Sequence, residues 1–378
     1  MKILITGDAG FVGRAFHRHF ADKGHDIVGV DIVNGIDARD FFRTDDTKFD
    51  LVIHLAAVVG GRRTIEGSPL ALAVDLSIDA EMFGWAVRTK PERIVYFSSS
   101  AAYPTKLQQN GWETRLWESD IDLTEISNPD LTYGWAKLTG EMLASHARTQ
   151  GLKVSVFRPF SGYGADQDLD YPFPTFIKRG LDKQSPFQVW GDGNQVRDFI
   201  HIDDIVGAVM AGIETDVEVA NLCNGRATSF NELAQLVMKA SGYDAPVEHL
   251  TAEPVGVSYR VGNPEKMLKF YVPKISLEQG HSDGIGKQMN RIDILKEAIE
   301  LTSGDRNRKA GDFVTNHSNI AKIWSVILGI EVQPHQVALC MAGVKLARCV
   351  ASLDRDHFVD GAAYFAGAGE CAVPDEPI

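Results

Sequence analysis

Residues 2–13 read Lys2-Ile3-Leu4-Ile5-Thr6-Gly7-Asp8-Ala9-Gly10-Phe11-Val12-Gly13, and this stretch decides the fold. A short apolar run is followed by three glycines spaced by three, then by Val12, Phe16 and Phe20 at i, i+4 and i+8 until Gly24 ends the pattern. That order predicts strand, turn and helix. A glycine turn between strand and helix lets backbone N–H groups approach a pyrophosphate, whose charge the helix N-terminus also favours. Alone, a glycine triplet is also compatible with a plain tight turn, and its position in the first turn of an alternating chain is what favours a dinucleotide.

The alternation continues. Residues 27–30 predict a strand ending at Asp31, and a short third strand is expected near Ile36-Asp37. Residues 50–57 form a near-continuous apolar run expected of a fourth strand buried on both faces. A helix over 70–88, a strand over 93–98, a helix over 133–150 and a strand over 153–158 follow, which implies a parallel sheet covered on both faces. After Pro159 the chain becomes rich in Pro, Gly and Asp, with helices expected over 174–181, 205–213 and 230–241. From about residue 286 four helical stretches follow without a strand, over 291–302, 317–328, 335–351 and 357–368. The predicted fold is therefore α/β: a Rossmann domain over 1–165 with a helix returning near 205–213, a substrate lobe over 166–285, and an all-α domain over 286–378. In that last domain Ile320, Ile323, Trp324, Ile327 and Leu328 form one apolar stripe, read as core.

Bulk properties narrow the function. The chain has 378 residues, 44% of them hydrophobic and 24% charged, which suits two or three folded domains. A net charge of -13 argues against a nucleic-acid partner, which would need clustered cations; the short basic run from Arg306 to Lys309 reads as a solvated loop. Cys223, Cys340, Cys349 and Cys371 have no metal-site or disulfide spacing and read as buried free thiols, so no metal is expected. No apolar run approaches a membrane span and no leader-like segment precedes Lys2, so a cytoplasmic protein without membrane partners is expected.

Asp31 closes the second strand, where a carboxylate accepts from adenosine ribose hydroxyls and repels a 2′-phosphate, favouring NAD over NADP. Asp37 is a candidate for the adenine amino group. Tyr133 and Lys137 lie four residues apart and hence on one helix face. A free phenol is a poor base at neutral pH, and a nearby cation stabilises its phenolate. The run Ser98-Ser99-Ser100 ends the preceding strand, at the sheet edge where ligands bind.

These residues resemble the extended short-chain dehydrogenase/reductase family of nucleotide-sugar epimerases and dehydratases over about residues 1–280. The resemblance covers the glycine motif, His54-Leu55-Ala56-Ala57, the serine run, Tyr133 with Lys137, Arg158-Pro159-Phe160 before Tyr163-Gly164, and Gly191-Asp192-Gly193 leading to Arg197-Asp198-Phe199-Ile200-His201-Ile202-Asp203-Asp204. It implies that Tyr133 is the general acid/base and Lys137 its modulator. Counting back from Tyr103 makes Ser99 the hydroxyl partner, and counting from the strand selects Ser100. Pro159 and Phe160 would face the nicotinamide, with Phe11, Val12, Ala38, Leu55, Ala56, Ala57 and Ser98 completing the cofactor wall. Arg197 and Arg260 would meet the substrate diphosphate.

Departures narrow the reaction. Dehydratases and decarboxylases of the family carry an acid just after the catalytic Ser/Thr, where this chain has Ser100-Ala101-Ala102. The fucose-synthase-like branch shares Gly60-Gly61 and the Tyr-Pro ending but needs a cysteine where Ala101 stands. Asp75 occupies a position where relatives usually carry Asn. The resemblance thus implies 4-epimerisation of a nucleotide sugar by a homodimer, with a 4-keto-sugar reductase or dehydratase and a non-catalytic NAD-binding protein as rivals. Residues 290–372 resemble an uncharacterised helical domain common in bacteriophage proteins, through Arg306, Gly311-Asp312, Asn316-His317, Lys345 with Arg348, and Asp356, Asp360 and Tyr364. A phage origin would place the protein in a host cytoplasm. Glu297 and Glu300 share a helix face there, as metal-binding carboxylates do in all-α pyrophosphohydrolases, although exposed helix carboxylates are commoner.

Overall fold

Alternating short apolar runs and amphipathic helices leave each strand needing cover on both faces, and the chain meets that need with a six-stranded parallel sheet. The computed structural model describes the chain except residues 22, 61–65, 68–69, 71–72, 110, 112, 281–294, 296–297, 299–312, 352–354 and 373–378. The strands are β1 (Lys2–Thr6), β2 (Asp26–Val30), β3 (Leu51–His54), β4 (Ile94–Phe97), β5 (Val154–Pro159) and β6 (Val219–Leu222), in spatial order β6-β5-β4-β3-β1-β2. The order reverses between β1 and β3, which opens a crevice at their carboxyl ends.

Helix α1 (Phe11–Ala21) seats Phe16 and Phe20, both fully buried, on one face of the sheet. Each such ring stabilises the fold by about 2–3 kcal/mol. On the same face α6 (Ile202–Glu214) contributes Ile202, Ile205, Val206 and Val209, so the chain returns from the smaller lobe to complete the cover of the sheet. The opposite face carries α2 (Ala38–Thr44), α3 (Val74–Thr89) and α4 (Leu131–Thr149), with Trp85, Met82 and Tyr96 in their core. Helices α5 (Pro172–Leu181) and α7 (Phe230–Ala240) build a smaller core of their own around Phe173, Phe176, Phe187 and Val237.

The expected third strand near Ile36-Asp37 is absent. A 3-10 turn over Ile32–Asn34 leads into α2, whose first backbone N–H groups need an acceptor, and Asp37 supplies one as N-cap by accepting from Arg39 N at 2.8 Å. The run at 50–57 is consequently the third strand in chain order, and only Leu51–His54 pairs as strand.

The chain separates into two units, Met1–Gly286 and Lys287–Ile378. In the second, α8 (Phe313–Leu328), α9 (Pro334–Ala351) and α10 (Arg355–Ala372) pack through small residues, among them Ala321, Ala338, Ala342 and Ala368 with Val337 and Val359. His317 is buried and stacks on Phe313 at 3.9 Å. This corrects the stripe read as core: Ile323, Ile327 and Leu328 are 58%, 71% and 59% exposed. Small side chains let helix backbones approach closely, so α8 turns Ala321 inward, leaves Ile323, Ile327 and Leu328 exposed and only half-buries Ile320 and Trp324. Of the helix expected over 291–302 only Leu295 and Ala298 are described, and Arg306–Lys309, Glu297 and Glu300 fall outside the described residues. The thiols also differ from expectation: Cys223 is buried, Cys340 is exposed, and Cys349 and Cys371 are half-buried. No described helix is long and apolar enough to cross a membrane.

Candidate active site

Backbone geometry makes the glycine turn. Gly7 has φ +71°, and a Cβ on it would stand 2.9 Å from Ala56 N. A Cβ on Gly13 would stand 2.1 Å from the Gly7 carbonyl oxygen, so α1 can begin against the turn only without a side chain there. Thr6 Oγ1 accepts from the N–H groups of Leu55 and Ala56 at 3.2 and 3.1 Å, which ties the turn to the end of β3. Gly7, Gly10, Phe11, Val12 and Gly13 line a cavity of about 750 Å³, within the range of ligand sites. These side-chain-free approaches at a helix N-terminus fit a dinucleotide's pyrophosphate.

Asp31 sits beside the turn, its Oδ2 accepting from Ala9 N at 3.0 Å and its Oδ1 from Val33 N at 2.9 Å. Burial, and then the Asp31 charge, pushes the neighbouring Asp8 carboxyl up. Asp37 and Ala38 do not line the cavity: Asp37 pairs with Arg39 at 2.6 Å as well as capping α2, and Ala38 is buried in the core. The same cavity takes in Leu55 and Ala57 but not Ala56, whose N–H is spent on Thr6.

The catalytic candidates converge on that cavity. Ser98, Ser99, Tyr133, Lys137, Pro159 and Phe160 all line it, whereas Ser100 is buried and does not. Ser99 is the N-cap of a 3-10 turn over Ser100–Ala102, its Oγ accepting from Ala101 N at 3.1 Å. Geometry therefore favours Ser99 over Ser100. Gly134 explains how α4 reaches the serine run, since a Cβ there would stand 2.4 Å from the Ala101 carbonyl oxygen. Leu131, one turn before Lys137's own turn, holds φ +55°, a strained value for a leucine at the mouth of the helix. Lys137 is buried, with Nζ 5.9 Å from the centroid of the Tyr133 ring and 5.5 Å from that of Tyr96. Burial alone would lower its pKa, but the facing Tyr133, Asp79 and Asp75 outweigh burial and raise it.

Beneath the wall runs a buried polar chain that the sequence reading did not anticipate. Ser98 Oγ donates to Glu141 Oε1, Arg158 grips Glu141 through Nε at 2.9 Å and Nη2 at 2.7 Å, and Arg158 Nη1 reaches Tyr103 Oη at 3.0 Å. Tyr103 in turn donates to Asn221 Oδ1 at 2.6 Å. Ser98 at one end adjoins Ser99 and Arg158 at its middle adjoins Pro159, so the chain ties together two sides of the site.

The two arginines expected at the diphosphate are register neighbours. Parallel strands Val196–Arg197 and Tyr259–Arg260 pair Arg197 with Arg260, and both line the cavity. Their guanidinium groups also build the wall: Arg197 donates to the carbonyls of Val255 and Val257, and Arg260 pairs with Asp130 at 2.7 Å. The loop over 167–173 and Trp190 complete the far wall. Arg179, unnoticed in the sequence, joins them with its guanidinium 5.6 Å from the Phe176 ring centroid. Its position in the helix after Pro174 carried no motif, so only the fold reveals it. Among the described residues no group of His, Cys, Asp and Glu is arranged to hold a metal ion.

The chain is similar to known proteins. The model of the NAD dependent epimerase/dehydratase family matches residues 3–223, and a domain of unknown function, DUF6378, matches residues 293–372. The chain is 25% identical over 328 residues to a UDP-glucuronate 4-epimerase of Thermodesulfobacterium geofontis, covering 78% of this chain and 98% of that one. It is 26% identical over 310 residues to a putative UDP-glucose 4-epimerase of Methanocaldococcus jannaschii, covering 74% and 95%. The Thermotoga maritima UDP-glucose 4-epimerase solved with UDP-glucose superposes with a TM-score of 0.66 at 25% identity, over 76% of this chain and 98% of that one. The Thermus thermophilus UDP-glucose 4-epimerase complex with NAD, at 20% identity, shares the fold with a TM-score of 0.65 over 76% and 100%. With more than half of its length matched by the family model, the chain belongs to the NAD-dependent epimerase/dehydratase family.

Proposed function

We propose that the Met1–Gly286 unit is an NAD-dependent epimerase that inverts C4 of a nucleoside-diphosphate sugar through a 4-keto intermediate. The observation that carries this reading is a single cavity lined by the glycine turn, by Ser99, Tyr133 and Lys137, and by the Arg197–Arg260 pair, with only Ala101 after the serine run. The 4-epimerases among the relatives and solved structures support it.

Bound NAD would supply the acceptor, and then the donor, of the C4 hydride. Gly7, Gly10 and Gly13 hold its pyrophosphate, and Asp31 its adenosine ribose. Tyr133 Oη takes the proton of the 4-hydroxyl, with Lys137 steadying the negative charge and Ser99 Oγ hydrogen-bonding the same oxygen. Arg197 and Arg260 grip the diphosphate, so the sugar alone is free to turn its other face before Tyr133 returns the proton. Ala101 has no proton to give at the position after the serine run, where elimination would draw on an acid.

Incubating the protein with NAD and a panel of UDP-, GDP-, CDP- and dTDP-sugars, followed by NMR, tests the proposal. The expected product is a C4 epimer with no net change in NADH. A dehydrated sugar, or NADH formed in step with a released keto-sugar, would replace epimerisation by one of its rivals. Tyr133→Phe is expected to lower the rate about 10²–10⁴-fold while NAD still binds.

A further inference from the structure

Two carboxylates are buried behind the Tyr133–Lys137 pair, and only one of them is satisfied. Asp75 and Asp79 lie one turn apart on one face of α3, at 0% and 1% exposure, where α3 packs against α4. Thr6 Oγ1 already accepts two backbone N–H groups, so its proton goes to His54 Nδ1, 2.9 Å away. His54 Nε2–H then points at Asp79 Oδ1, 3.1 Å away, while Tyr96 Oη donates to Asp79 Oδ2 at 2.6 Å. Asp79 is a fully engaged anion. Asp75 differs: its Oδ1 accepts from Val58 N at 2.6 Å, and its Oδ2 is buried with no hydrogen-bond partner among the described residues.

Charge counting sharpens the contrast. One buried ammonium, Lys137, faces both carboxylates, and Asp79 already carries the matching negative charge. A second buried anion without a counter-charge of its own is costly, so a proton on Asp75 Oδ2 relieves the excess. The remaining titratable or charged groups facing this cluster among the described residues are Tyr133 and Glu141 of α4, His54 of β3 and Tyr96 of β4, with Glu141 bound to Arg158.

We propose that Asp75 is a positioning residue of the catalytic pair: a proton exchanging at its Oδ2 switches the charge facing Lys137 and so sets the pH range in which Tyr133 and Lys137 work. The Val58 N–H bond holds the side chain in place in both states and anchors the segment that crosses the cavity through Ala57 and Val59. This rests on Tyr133 and Lys137 being the acid/base pair. Burial, the largest influence, pushes the Asp75 carboxyl up to about 6 against the opposing pull of Lys137 and the Val58 amide, with Asp79 adding to the rise. Below that pH Asp75 is neutral and the ammonium charge is directed at the Tyr133 oxygen. Above it, the Asp75 anion takes a share of that charge and the phenolate loses support.

Two measurements on the full chain with NAD test this separately from the assigned reaction. In the first, carboxyl carbon signals of ¹³C-aspartate protein are followed against pH, and the signal absent from Asp75→Asn is read. A midpoint near 6 is expected, and Lys137→Met should move it upward by removing the counter-charge. A midpoint at the ordinary aspartate value, or one that Lys137→Met leaves in place, overturns the proposal whether or not any sugar is converted. Should Asp75→Asn fail to fold, Asp75→Ser identifies the same signal. In the second, the pH dependence of UDP-glucose conversion is compared in the two forms. Asp75→Asn keeps the Val58 acceptor but has no charge, so the rising limb should move about one unit toward acid. A limb that stays in place while UDP-glucose is converted overturns the proposal. No conversion by the unaltered protein speaks only against the assigned substrate and leaves the carboxyl titration to decide.

Discussion

Glu141→Gln removes one charge from beneath the cavity wall while keeping the side chain's shape. Glu141 accepts Arg158 Nη2 on one oxygen, and Arg158 Nε with Ser98 Oγ on the other. An amide must turn its NH₂ toward one of these sets of donors, so one or two charge-assisted bonds are lost and the buried guanidinium is left without a counter-charge. Breaking a buried pair from one side costs about 3–5 kcal/mol. At about 2.1 cal/mol/K per residue, unfolding of the Met1–Gly286 unit translates that loss into a fall of about 5–8 °C in Tm. Calorimetry at neutral pH measures it. The double variant Glu141→Leu with Arg158→Met, which removes both charges, should be less destabilised than either single change alone. A fall of less than about 1 °C in Glu141→Gln, or a double variant that merely sums the singles, would refute the reasoning.

Gly13→Val places side-chain atoms where even a Cβ stands 2.1 Å from the Gly7 oxygen, so NAD binding measured by calorimetric titration should be lost. Retained affinity would mean that the turn does not cradle the dinucleotide. Asp75 gives stability a pH dependence of known sign: its folded value of about 6 lies above the ordinary aspartate value, so its contribution is complete below about pH 4 and is lost as pH rises through about 6. The Tm of the unaltered protein relative to Asp75→Asn should fall between about pH 4 and 7, by the equivalent of about 3 kcal/mol at most. A flat difference contradicts a proton on Asp75. In the second unit, Ile327→Lys should change stability by no more than about 0.5 kcal/mol because the side chain is exposed, whereas Val337→Asp should unfold the helices. Circular dichroism of the full chain distinguishes these outcomes.

The elements that sequence reading located correctly are those governed by local periodicity. β1, the glycine turn and α1 follow from an apolar run, φ-permissive residues and a spacing near 3.6. Tyr133 and Lys137 face one cavity because a separation of four is one helical turn. The expected strand near Asp37 failed for a local reason that was overlooked: Asp37 precedes a segment that can be capped, and the cap wins over a short strand. The stripe in α8 failed for a non-local one. Amphipathic periodicity identifies two faces of a helix, but which face is buried depends on what the neighbouring helices offer, and here small residues pack inward.

What the sequence by itself determined was the α/β class, the glycine turn and the placing of Tyr133 and Lys137 on one helix face, because all three are written in local periodicity and in spacings of about one helix turn or one strand. The tertiary structure alone decided that Ser99 lines the cavity and Ser100 does not, that Arg197 and Arg260 pair in register, that Arg179 joins the wall, and that Glu141, Arg158 and Tyr103 form one buried chain. It also decided that Asp75 faces Lys137 with an oxygen that has no partner among the described residues. Each of these depends on residues far apart in the chain being brought within hydrogen-bond or Coulomb range, and the burial that makes their charges matter exists only once the sheet and helices have closed around them.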